Sequence, residues 1–191
     1  MSPLPTSSGG WRRHALPALW AGVRALPWML ALLSFALPTR ADQLPEYRLK
    51  AAFLYNFALY TEWPSEVGGT LHLCVYGADP FGTELDALQG RAVGERSIAV
   101  QRKGADESLG GCDIVFIAAS AMDGLSRVLD ELRGSTVLTV ADSPNAIRRG
   151  VALDMTVTQN KVRFAANLLA AHRAGLNFSS KLLRLATEVI Q

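Results

Sequence analysis

"LHLCVYGADPFGTELDALQG", residues 71–90, decides the fold. Residues 71–77 are apolar and β-branched over the length of a strand. Gly77 to Gly82 make a turn, and the apolar spacing beyond it is helical. Asp79 stands where an N-cap belongs, with Pro80 at the first helical position. A strand running through a short glycine turn into a helix is the repeating unit of an α/β sheet.

The unit recurs downstream. "SIAVQRK" (97–103) and "TVLTVA" (136–141) read as strands, and "CDIVFIA" (112–118) as a strand buried on both faces. Residues 122–132 have the spacing of an amphipathic helix, ended by Gly134. "DSPNAIRRG" (142–150) predicts a short helix capped by Ser143 and closed by Gly150. Residues 151–157 and 161–167 form a hairpin about Thr158, Gln159 and Asn160, and two helical pieces, 167–175 and 179–190, end the chain. The expected fold is α/β, a single domain with a mixed, mostly parallel sheet and flanking helices. Strands 71–77 and 112–118 are expected to be neighbours.

Upstream, "KAAFLYNFALYTEWP" (50–64) belongs to a helix over 43–62, stopped by Trp63-Pro64. This helix is apolar on both sides, which a surface helix is not. Phe53, Phe57, Tyr60 and Trp63 form an aromatic arc expected to lie on the sheet. The side bearing Ala51, Leu54, Tyr55 and Ala58 then meets either the C-terminal helices or another chain. Leu54, Tyr55 and Ala58, with the basic pair Lys181 and Arg184 on one face of the last helix, are the expected partner surface, and a homodimer is one way to cover it.

Residues 1–41 differ from the rest. They hold Arg12, Arg13, Arg24 and Arg40, no acidic residue, and an apolar run from Ala25 to Leu37. This pattern predicts an exported protein with a signal peptide cleaved after Ala41, leaving a domain over 42–191. A retained anchor is the alternative, although the run is shorter than the roughly 20 residues of a spanning helix. The four arginines account for more than the whole formal charge of +2, so the remainder is slightly acidic and a nucleic-acid partner loses its electrostatic support.

Chemistry is sparse. The turn "GADPFG" (77–82) is not a G-x-G-x-x-G, and Asp79 puts a carboxylate where a phosphate would sit. His72 shares a strand face with Cys74, but no further metal ligands come at a useful spacing. Asp113 and Asp142 could do acid–base work on position alone, and read more readily as surface residues or caps. No nucleophile motif occurs, so no catalytic, cofactor-binding or metal-binding residue is assigned and the protein is not read as an enzyme. Cys74 and Cys112 form a disulfide or remain as two buried thiols.

Five stretches in order, "YRLKAAFLYNFALYTEWP", "LHLCVYGADPFG", "GCDIVFIA", "VLTVAD" and "VRFAANLLAAHRAGLNFSSKLLRLA", resemble the YfiR family over about residues 45 to 189. The resemblance implies a small periplasmic α/β protein that binds the periplasmic domain of a membrane-bound diguanylate cyclase and holds it inactive. Cyclic-di-GMP and biofilm formation then fall, and an OmpA-like outer-membrane protein can draw the repressor away. It also implies that Cys74 and Cys112 match a family Cys pair whose redox state tunes stability or activity. A second pair found in repressor-type members, near Asn145 to Ala152, has no counterpart here. The alternative reading is a periplasmic module that senses a small ligand.

Overall fold

The structure, a computed structural model, describes residues 43–159 and 161–191, so the proposed leader lies outside the described residues. Its elements are α1 (Gln43–Tyr60), β1 (Thr61–Glu62), β2 (Thr70–Tyr76), α2 (Thr83–Asp86), β3 (Ala92–Val93), β4 (Arg96–Lys103) and β5 (Ile114–Ile117). Then follow α3 (Leu125–Glu131), β6 (Leu138–Ala141), β7 (Leu153–Thr158), β8 (Lys161–Asn167), α4 (Leu168–Arg173), β9 (Asn177–Phe178), α5 (Ser180–Leu183) and β10 (Glu188–Ile190). Short 3-10 turns cover Ala119–Gly124 and Ile147–Arg149.

Eight strands form one sheet in the order β10-β8-β7-β6-β5-β2-β4-β3. The five from β4 to β7 run parallel, and β3 and β8 are antiparallel to their inner neighbours. The mixed, mostly parallel sheet expected from the sequence is what forms, with β2 beside β5. Alternating side chains feed two cores. Leu71, Leu73, Val75, Ile114, Phe116, Leu138 and Val140 point to the core under α1. Cys74, Tyr76, Val115, Ile117 and Ala141 point to a second core under α3. The result is a sheet covered on both faces, which explains why β5 and β6 are buried without alternation. β1 and β9 form a separate antiparallel pair.

Four expectations fail locally. The helix expected after Pro80 shrinks to α2, because Asp79 is not its cap: its Oδ1 accepts the Phe81 N–H at 2.7 Å and its Oδ2 pairs with Arg102. Ser143 caps nothing with its side chain, and its buried hydroxyl has no partner among the described residues. The first helix stops at Tyr60, where Thr61 and Glu62 leave to pair with β9. The last helix ends at Leu183. Thr187 N–H then bonds Phe164 O at 2.8 Å, and the β-branched tail becomes β10 alongside β8.

Candidate functional site

The strand order reverses between β2 and β5, where parallel α/β sheets usually open a ligand crevice at the C-terminal strand ends. Here the crevice is filled from within. Gly77 adopts φ +99°, and a Cβ on it would lie 2.7 Å from the Ser120 hydroxyl, which itself accepts the Ala78 N–H. The first half of α1 spans the neighbouring strand ends. Tyr47 stacks edge-on against Phe81, and Lys50 reaches Asp142 just beyond β6 at 2.6 Å. Burial pulls the Lys50 pKa down, but its hydrogen bonds to Asp142 and Glu46 outweigh that and leave it raised. Asp142 also accepts from Tyr47 at 3.2 Å. Asp142 is therefore the anchor of a buried ion pair.

Next to it, Asp154 is buried, with one carboxylate oxygen unpartnered among the described residues. Burial drives its pKa up, the Ile147 N–H opposes this, and the Asp142 charge adds to the rise, to about 6.

Cys74 and Cys112 form a disulfide with Cα atoms 5.9 Å apart, inside the usual range. It lies in the core under α3. His72, on the same strand face, has its Nδ1 3.1 Å from Asp113 Oδ2, which also accepts the His72 N–H.

The expected partner surface divides. Leu54 and Ala58 are fully buried in the core, so they form no surface. Tyr55 is half-buried, donates its hydroxyl to Ala92 O at 2.9 Å and carries Arg91 over its ring. Lys181 and Arg184 are exposed, with Lys181 4.7 Å above the Tyr60 ring. The physical reason lies in the orientation of α1. Its buried stripe is Lys50, Ala51, Leu54, Phe57 and Ala58, spaced as one helical face. Of the aromatic arc only Phe57 is fully buried; it and Phe53 meet Phe164 of β8 edge-on. The helix is turned by about a third of a revolution from the expected pose, so that Phe57 alone belongs to both the expected and the observed buried face. Leu49, Ala52, Asn56 and Leu59 are exposed, flanked by half-buried Phe53 and Tyr60.

At the opposite end of the parallel strands lies a cleft of about 680 Å³ between α3, β6, the Ile147–Arg149 turn and α4. Leu129, Leu132, Val137, Ala170 and Ala174 give it an apolar lining, and Arg133, Arg149, Arg173 and Asp130 supply its charge. No sequence motif marks it, because its arginines come from three separate segments.

Residues 47–187 match the family described as YfiR/HmsC-like. The chain belongs to that family. YfiR/HmsC-like proteins are periplasmic, regulatory rather than catalytic, and associated with diguanylate cyclases of the membrane. Among the described residues of this YfiR/HmsC-like chain, no helix is long and apolar enough to cross a membrane. Likeness to solved structures is slight. An ABC domain in complex with L-Trp from Streptococcus pneumonia is 10% identical with a TM-score of 0.49, over 63% of this chain and 55% of that one. A conserved domain protein from Vibrio cholerae is 11% identical with a TM-score of 0.49, over 75% of this chain and 60% of that one. The YfiR/HmsC-like chain thus spans little more than half the length of either protein, and neither bears on its function.

Proposed function

We propose that this protein binds the periplasmic domain of an inner-membrane diguanylate cyclase and restrains it, lowering cyclic-di-GMP and biofilm formation. The observation that carries the reading is the solvent-facing side of α1. Leu49, Ala52 and Leu59 lie along about 15 Å of helix, with Phe53 and Tyr60 half exposed beside them. A largely apolar helix face, interrupted only by Asn56, suits a groove on a partner protein. Lys181 and Arg184 add positive charge near its Tyr60 end, which favours an acidic rim on the partner. Family membership supports a membrane diguanylate cyclase as that partner. Export by a leader cleaved near Ala41 and release by an OmpA-like outer-membrane protein belong to the same proposal.

The test is a crosslinking pull-down from the cell envelope, paired with deletion of the gene. Recovery of a membrane cyclase, with raised cyclic-di-GMP and more biofilm on deletion, is the expected result. Unchanged cyclic-di-GMP and biofilm in a strain that expresses the protein would end this reading.

A further inference from the structure

We propose that the cleft between α3 and α4 is a binding site for a small polyanion, a phosphate ester or a di- or tricarboxylate on a short apolar body. Its volume of about 680 Å³ is that of a small-molecule site. Three guanidinium groups and one carboxylate line it, an excess of two positive charges, on a domain that is otherwise slightly acidic.

The arginines are not equivalent. Arg133 pairs with Asp130 on the surface, an attachment worth little when both groups are solvated. Arg149 donates one N–H to Met122 O at 2.9 Å, which holds its guanidinium while leaving other N–H groups unused. Arg173 makes no hydrogen bond or ion pair with the described residues. The neighbouring Arg148 is drawn off instead by Glu188 at 2.9 Å.

The walls are also tied together. Asn167 accepts the Ala170 N–H at 2.9 Å to cap α4, and its amide donates to Ile147 O at 3.1 Å. One buried side chain thus fixes the segment carrying Arg173 against the segment carrying Arg149. Gly150 closes the latter at φ +104°, with room for no more than a tight Cβ against Leu129. Planar guanidinium forks held on rigid supports bind phosphate and carboxylate alike. The site is separate from the exposed face of α1 and does not depend on the cyclase reading.

The purified protein is titrated calorimetrically with citrate and, separately, with pyrophosphate, at ionic strength held constant with sodium chloride. At least one probe should saturate one site with a Kd below about 1 mM. Arg173→Gln should weaken it by about tenfold or more, as should Arg149→Gln. Arg163→Gln, at an exposed residue of β8 outside the cleft, should leave it unchanged. A preference for pyrophosphate or for citrate assigns phosphate or carboxylate as the natural group. No saturation by either probe up to about 10 mM overturns the proposal. So does equal weakening by Arg163→Gln and Arg173→Gln, which would reveal diffuse charge attraction. Arg173 is exposed, so its variant reads binding even if Arg149→Gln fails to fold.

Discussion

Lys50 and Asp142, 92 positions apart, form an ion pair in which only 4% and 5% of the two side chains are exposed. Removing one partner of such a pair leaves a buried charge, at a cost of roughly 3–5 kcal/mol. Lys50→Met should therefore lose about that much in urea denaturation, since Tyr47 alone remains on Asp142. Lys50→Met combined with Asp142→Leu should recover most of the loss. A double variant as unstable as the sum of the single variants would show that the two groups do not act as a pair.

Asp154 makes stability depend on pH. Its folded pKa, about 6, lies above the ordinary value of 3.8, so the native state holds this proton more tightly than the unfolded chain does. That contribution is complete below about pH 4 and disappears as pH rises through about 6, a change on the order of 3 kcal/mol. Asp154→Asn should flatten the stability profile between pH 4 and 6 in denaturant titrations. An unchanged profile would place the titrating group elsewhere.

Reduction of Cys74–Cys112 frees a loop spanning a separation of 38 residues, worth about 4 kcal/mol in the chain-entropy treatment. Unfolding in the presence of a strong reductant, or of the Cys74→Ser/Cys112→Ser variant, should show a loss of that size. A loss under about 1 kcal/mol would mean that the unfolded chain gains little freedom when the bond is broken.

The two sides of α1 should respond oppositely to a charge. Leu54→Asp places a carboxylate in the core and should abolish folding, whereas Leu59→Asp should shift stability by no more than about 0.5 kcal/mol. Circular dichroism separates these outcomes. Leu59→Asp and Leu49→Asp should nevertheless lose the crosslinked partner, and retention of it by both would move the contact off α1.

Much of this fold was legible because its central strands are short apolar runs bounded by glycine turns, as in residues 71–77 and 112–118. The hairpin of β7 and β8 was readable from two strand-like runs either side of the polar turn at Thr158, Gln159 and Asn160, with Gln159 in the left-handed region. The facing of α1 was not. A helix apolar on both sides has no directional signal, and burial of Lys50 makes sense only once Asp142 is known to sit opposite. The tail from Thr187 to Ile190 keeps a helical spacing, yet its backbone is claimed by β8, more than twenty positions earlier. The expected surface residues Leu54 and Ala58 failed for the first of these reasons, while Lys181 and Arg184 kept their exposure.

The small β1–β9 pair has a kinetic consequence. Thr61 and Glu62 pair with Phe178 and Asn177, and the Ser179 N–H closes on Tyr60 O at 3.0 Å. The first helix is thus fastened by a segment made more than a hundred residues later. Contacts of such long range are entropically slow to form. Until they do, α1 is held only by its packing on the sheet, and any opening of the helix in that interval would present its apolar core face to a holding chaperone.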